Sequence, residues 1–232
     1  MSVLRAPCSV LFALIIGAAP AHAQVGHDPA RSPYRDIPRG SGFVLMGGYL
    51  AGDRGEVDVG PGPGQTFTAR YDLGLGGPVV FTTGASLMRL DRYVLDPDSG
   101  AATRKSGPFV NDLLTVDAGV HIRLTGAKTW RRVAPYVSGT IGLGFELSGP
   151  SDPGGYSFGT KFTLAPGAGI RIHPGRHLFL IGDFRWTFWR LSYPLTYRIS
   201  SPVDSTTILR PAQEETDWTS HPWLSVGVGW IF

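Results

Sequence analysis

Trp223-Leu224-Ser225-Val226-Gly227-Val228-Gly229-Trp230-Ile231-Phe232, the last ten residues of the chain, decide how the rest is read. Taken two at a time they separate into an apolar row, Leu224, Val226, Val228, Trp230 and Phe232, and a small, mildly polar row, Ser225, Gly227 and Gly229. A period of two marks a β-strand, whose side chains alternate between its faces. One face of this strand is greasy and the other is narrow. It ends on an aromatic residue with no polar tail to cover it.

Seven further segments repeat the pattern, at about 41–52, 65–76, 78–90, 112–124, 133–147, 158–172 and 176–189. The cleanest sets Leu114, Val116, Ala118, Val120, Ile122 and Leu124 against Thr115, Asp117, Gly119, His121 and Arg123. Segments of about ten residues match the length a tilted membrane strand requires. The connections alternate. Residues 76–78, 125–132 and 173–175 are short links, whereas about 52–64, 91–109, 148–157 and 190–220 are longer. Short turns on the side of both termini and long loops on the other are the pattern of an outer-membrane barrel. The predicted fold class is all-β: a closed, eight-stranded, antiparallel, up-and-down transmembrane β-barrel over residues 41–232.

The charges choose which face is inside. Opposite the apolar rows lie Arg70, Asp72, Asp117, His121, Arg123, Glu146, Arg171, Asp183 and Arg185. A soluble carrier barrel would line its cavity with the apolar rows and spread lysine and glutamate over its outside. Here the rows facing away from the charges are nearly charge-free. Charges packed into a narrow lumen must be paired, because an uncompensated one costs several kcal/mol. These nine residues are the expected lumen network. Phe43, Tyr49, Trp130, Tyr136, Trp186, Trp189, Trp223 and Trp230 lie near strand ends and are expected to form interfacial girdles.

Composition fits the same reading. Glycine is abundant at 32 residues, and charged residues are only 17% of the chain, below the roughly 25% of a soluble domain. Mean hydropathy is near zero, as expected when lumen and lipid positions alternate. Residues 1–23 read as a secretory leader: Arg5, then the apolar Val10–Ile16, then Ala21-His22-Ala23 before a cut at Gln24. The sole cysteine, Cys8, falls inside that leader, so no disulfide is expected in the mature chain. Residues 24–40 are polar, with three prolines, and read as a periplasmic tether. Removal of Arg5 leaves a net charge of about +2, without any basic run to suggest nucleic-acid binding.

The signal sequence, the alternating strands and the closing Val226-Gly227-Val228-Gly229-Trp230-Ile231-Phe232 resemble the small eight-stranded outer-membrane barrels of the OmpA, OmpX and OmpW kind, the porin-family β-barrel proteins. The resemblance implies outer-membrane localisation and surroundings of outer-membrane lipid and lipopolysaccharide. It also implies a monomer whose Val226, Val228, Trp230 and Phe232 are read by the barrel-assembly machinery.

Little in the sequence points to chemistry. Some barrels of this size act on lipid A through serine, histidine and an acid, and here only Ser220 and His221, near Glu214, Glu215 and Asp217, are loosely of that type. Neighbours on a strand point to opposite faces, so no nucleophile–base pair is expected and the chain is read as not an enzyme. His173 and His177 flank a Pro-Gly turn, and two ligands are too few for a metal site. No cofactor or metal is expected. The expected role is a structural or surface-interaction barrel with a filled lumen, acting through its long loops. The 190–220 loop, with Leu195, Tyr197 and Ile208, is the candidate contact region. The alternatives are a narrow pore or lateral conduit for small solutes and, behind it, a lipid A-modifying enzyme.

Overall fold

The computed structural model describes residues 32–232. The expected leader, its cleavage site, Cys8 and the first part of the tether lie outside the described residues. Ten strands make up the fold: β1 (Tyr34–Asp36), β2 (Ser41–Leu50), β3 (Gly64–Gly76), β4 (Val79–Leu95), β5 (Lys105–Arg123), β6 (Lys128–Trp130), β7 (Val133–Ser148), β8 (Thr160–Ile172), β9 (Leu178–Ser192) and β10 (Thr216–Ile231). All pairings are antiparallel. The eight long strands follow one another as a ring, β2-β3-β4-β5-β7-β8-β9-β10, with β10 returning to β2. The returning seam runs from Trp223 opposite Leu50 to Ile231 opposite Gly42. Each long strand is therefore hydrogen-bonded along both edges, which satisfies backbone groups that an apolar surrounding could not.

The period of two sorts side chains as the sequence indicated. Leu224, Val226, Val228 and Trp230 are exposed on the outside of the ring, while Ser225 between them is buried. The same inversion runs round the molecule: Phe67, Leu87, Val116, Ile141, Leu164 and Phe184 face out, and Arg70, Asp117, Thr140, Arg171 and Asp183 face in. Inside, the filling is layered. At the end carrying the short turns, Val44, Met46, Tyr136, Phe179, Ile181 and Ile231 form one apolar cluster closed by Ile37. At the other end, Leu50, Met88, Leu113, Trp189 and Trp223 continue into the loops through Tyr156, Phe158, Tyr197 and Leu209. A polar layer lies between them.

Three local expectations differ from the structure. Several strands run well beyond ten residues, to 17 in β4 and 19 in β5. Most of the expected 91–109 loop is therefore a strand extension, and the true connections are 51–63, 96–104, 149–159 and 193–215. In these extensions apolar and polar residues no longer alternate, as in Asp91-Arg92-Tyr93-Val94-Leu95, so the hydropathy signal ends before the hydrogen bonding does. Part of the expected tether is also folded. β1 pairs with β6, Tyr34 opposite Trp130 and Asp36 opposite Lys128, and Ile37 N donates to the Ala127 carbonyl at 3.0 Å. A three-residue strand reading Tyr-Arg-Asp shows no alternation by which to detect it.

The third difference concerns the aromatics. Phe43, Tyr49, Trp130, Trp186 and Trp230 are exposed outside the ring, but Tyr136, Trp189 and Trp223 are buried within it. Position near a strand end is not enough; parity along the strand decides. Tyr136 shares its face with Thr140, Trp189 with Asp183 and Arg185, and Trp223 with Ser225.

Glycine opens the seam where β10 meets β2. A β-carbon at Gly227 would stand 2.0 Å from the Leu45 carbonyl oxygen, whereas one at Gly47 would meet nothing within 4 Å. Gly227→Ala should therefore lower the urea midpoint of the folded protein, by about 1–3 kcal/mol of stability. Gly47→Ala should stay within about 0.5 kcal/mol of the parent.

Candidate functional site

The polar layer is built from inward positions of four strands: Arg70 and Asp72 on β3, Asp117 and His121 on β5, Arg171 on β8, and Asp183 and Arg185 on β9. Residues two apart on a strand share a face, so Arg70/Asp72 and Asp183/Arg185 each place a guanidinium beside a carboxylate. Arg185 Nε donates to Asp183 Oδ1 at 2.7 Å, and Arg70 Nε stands 3.3 Å from Asp72 Oδ1.

The remaining contacts cross the ring. Arg171 Nη2 donates to Asp72 Oδ2 at 2.8 Å, although β3 and β8 stand four strands apart in either direction. Arg70 Nη1 reaches Asp183 Oδ2 at 3.5 Å, and Arg185 Nη1 reaches Asp117 Oδ2 at 3.3 Å. The Tyr136 hydroxyl donates to Asp183 as well. His121 lies flat on Tyr136, with ring centroids 4.7 Å apart, and its Nδ1 is 3.1 Å from Arg171 Nη2. Rings also cover the guanidiniums: Trp223 under Arg185 at 4.7 Å, Phe179 under Arg171 at 5.0 Å. The result is an unbroken chain of contacts, His121–Arg171–Asp72–Arg70–Asp183–Arg185–Asp117, in which three arginines match three aspartates.

Of the nine expected lumen charges, Arg123 and Glu146 stand outside this chain. Arg123 ends β5 on the short-turn side and is half-buried. Glu146, near the far end of β7, accepts from Phe158 N at 2.8 Å and from Gly159 N at 3.3 Å, so it fastens the 149–159 loop. A pair that the sequence left in a loop, Arg92 and Asp152, is buried at that same end: Nη1 donates to Oδ2 at 3.3 Å, and Nη2 to the Pro150 carbonyl at 2.9 Å. Burial raises the Asp152 carboxyl above its ordinary range even with Arg92 beside it.

Other candidate groups do not assemble. His221 is buried against Trp189 at 3.9 Å, and its Nε2 pairs with Thr219 Oγ1 at 2.8 Å. Ser220 lies on the opposite face of β10 and makes no contact with it. His177 donates through Nδ1 to the Ile231 carbonyl at 2.9 Å and stacks on Trp230, while His173 tilts against Phe179. Among the described residues no group of three or more His, Cys, Asp or Glu is placed to hold a metal. Val226, Val228 and Trp230 face outward on β10, and Phe232 N donates to the Ser41 carbonyl at 2.9 Å. In the 193–215 loop, Leu195 is exposed as expected. Tyr197 is fully buried and Ile208 packs beside it in the outer cluster, so Ile199 and Val203 join Leu195 as the exposed large apolar side chains there.

Two measurements test the energetics. Arg185→Ala leaves Asp117 and Asp183 short of a counter-charge in the interior and should cost about 3–5 kcal/mol in urea unfolding. Replacing Arg185 by Met together with Asp117 by Leu should recover part of that loss. His173, just past β8, is held down to about 4 by burial and by Arg171 and Arg123. Its unfolded counterpart titrates near 6.5, so the stability gained from keeping it neutral is complete above that pH and is lost as pH falls toward 4. A pH series of urea midpoints should slope less over that window in His173→Asn than in the parent.

No family model matches the sequence, and no curated protein does. Solved structures do match. Neisserial surface protein A is 14% identical, with a TM-score of 0.52 over 84% of this chain and 100% of that one. The outer membrane protein OprG from Pseudomonas aeruginosa is 12% identical, TM-score 0.46, over 85% and 98% of the two chains. The N-terminal β-barrel domain of Pseudomonas aeruginosa OprF is 13% identical, TM-score 0.44, over 84% and 98%. The likeness to the Neisserial protein concerns fold alone: the chain resembles the small outer-membrane β-barrels, the group indicated by its sequence.

Proposed function

We propose that the chain is an outer-membrane protein forming a closed eight-stranded transmembrane β-barrel, that its lumen is filled, and that it acts as a structural or surface-interaction barrel through its long outer loops. The observation that carries this reading is the layered interior. A solute moving along the axis would have to displace Tyr136, Phe179 and Ile231 at one end. It would next have to separate Arg171 from Asp72 and Arg185 from Asp117, and finally part Trp189, Trp223 and Phe158. Eight strands leave an interior just wide enough for side chains, so none of these can step aside into free space.

The outward apolar surface supports the membrane part of the proposal, since so large an exposed area is a liability in water. The loops support the rest. They are fastened to one another rather than left open: Arg54 Nη2 donates to Asp91 at 2.7 Å, Lys105 pairs with Asp58, and Ala101 N donates to Asp204 at 2.6 Å. On this firm platform Leu195, Ile199 and Val203 are left exposed as the contact surface. Outer-membrane lipid and lipopolysaccharide are the proposed surroundings, and the outward residues of β10 with Phe232 the segment read during assembly.

Planar-bilayer recording tests the filled lumen directly. The parent should give no steady openings, and neither should Arg171→Ala. Steady openings in the parent that widen in Arg171→Ala would establish the pore reading instead. Acyl loss from lipid A incubated with the purified protein would establish the enzyme reading.

A further inference from the structure

One end of the ring carries positive charge that no ion pair among the described residues balances. It is closed by residues 33–40, by the 124–132 connection that contains β6, and by the 173–177 turn. These segments present Arg35, Arg39, Lys128, Arg131, Arg132 and Arg176, and Asp36 is their only acidic side chain. Among the described residues none of the six cations makes an ion pair within 4.0 Å. At the opposite end several cations are paired, Arg54 with Asp91, Arg92 with Asp152, Lys105 with Asp58 and Arg198 with Glu215.

The backbone beneath two of these arginines is strained. Trp130 pairs with Val133 across a two-residue turn, and the residues between them, Arg131 and Arg132, have φ of 48° and 70°. A hairpin turn of this kind needs positive φ at both central residues and is filled without strain by Asn-Gly. Side chains with a β-carbon are disfavoured there, and strain retained at a surface turn points to a task for the side chains. Arg131 lies over the Trp130 ring at 5.3 Å. Arg132 is directed the other way, its Nη1 donating to the Pro174 carbonyl at 3.2 Å.

That reach makes Arg132 one wall of a cleft of about 370 Å³, which Arg35, Asp36, Thr129, His173 and Arg176 also line. His173 is only 7% exposed, and its Nε2 has no hydrogen-bond partner. Three guanidiniums around one space suit a tetrahedral oxyanion, which accepts from several donors at once. Asp36 offsets one of the three cations and leaves the cleft positive.

The height of the cleft identifies the source of the oxyanion. Trp130, Tyr34 beside it and Trp230 are exposed on the outside of the ring at this end. On the outer-membrane barrel reading, such aromatics sit at headgroup level. We propose that this cleft binds the phosphate of an anionic phospholipid in the leaflet bordering the short-turn end, with Arg35, Arg132 and Arg176 as its donors. The proposal rests on the barrel reading given above.

The test uses the refolded protein in detergent, with the folded form verified by its faster migration on unboiled gels. Lipid retained on the protein is then counted by native mass spectrometry in the presence of phosphatidylglycerol, phosphatidylethanolamine or phosphatidylcholine. Phosphatidylglycerol should be retained about tenfold more tightly than either zwitterionic lipid, in line with the attraction of a few basic residues to an anionic headgroup. The double substitution Arg131→Asn with Arg132→Gly should reduce that preference to below about twofold while holding or raising the urea midpoint, because Asn-Gly relieves the turn. Arg176→Gln should weaken retention about threefold without changing gel migration. Equal retention of the three lipids, or a preference undiminished in the double variant, would overturn the proposal. Displacement of the lipid by equimolar inorganic phosphate would mark a free-anion site and overturn the lipid assignment. Absence of a fast-migrating folded band would instead sink the barrel reading on which the proposal rests.

Discussion

Arg171 reaching Asp72 from the opposite side of the ring is the contact on which the interior depends. Strands at opposite positions share no backbone hydrogen bonds, so only side chains long enough to span the lumen can tie them together. Arginine does this with a planar, always-charged fork that can serve two acceptors. Arg171 holds Asp72 and approaches His121; Arg185 holds Asp183 and Asp117. Lysine, with one point charge, could not bridge in the same way. Balance between three guanidiniums and three carboxylates is the second condition, since a surplus of either sign would leave a buried charge uncompensated.

The neighbours of that layer follow from it. Charges enclosed away from water gain from being sealed, and the apolar clusters on either side exclude solvent from the belt. Glycine is then forced at positions where a partner strand or a large ring takes the space. Gly229 leaves room for Phe179, whose ring atoms would come within 2.2 Å of a β-carbon there. Phe179 in turn lies against Arg171. The narrow face of the last strand, which first appears only as Ser-x-Gly-x-Gly, is thus the mould for the aromatic residue that covers a central charge.

How much of this is legible in the sequence depends on which signal is used. Parity along each strand is dependable: it places Arg70, Asp72, Asp117, His121, Arg171, Asp183 and Arg185 on one face, and the structure brings them together. It would also have placed Tyr136, Trp189 and Trp223 inside, had parity been weighed above nearness to a strand end. Cross-lumen partners are not legible, because they depend on strand tilt and on which residues stand level across the ring. Strand ends are not legible either. Asp91 and Arg92 look like loop residues, yet Arg92 is an inward position of β4 continuing above the apolar band. Nor does Tyr-Arg-Asp at 34–36 reveal a strand whose formation depends on a partner almost a hundred residues later.

On the proposed reading of a filled lumen, recognition falls to the two rims, which are built on different principles. The rim with the long loops pairs several of its charges internally, such as Arg54 with Asp91 and Arg198 with Glu215, and exposes apolar tips. It is suited to contacts in which shape and burial dominate. The short-turn rim holds its apolar residues beneath Ile37, and among the described residues its cations make no ion pair. Exposed cations are solvated by water alone, but at the edge of an apolar band a dense and close external counter-charge attracts them further. A phospholipid headgroup layer supplies one, and there the field of even a few basic residues is felt within one Debye length. The strained Arg131-Arg132 turn lies at that edge. Folding alone would favour Asn-Gly in its place, and the proposed lipid contact supplies a reason for two arginines there beyond the Trp130 and Pro174 contacts they make within the chain.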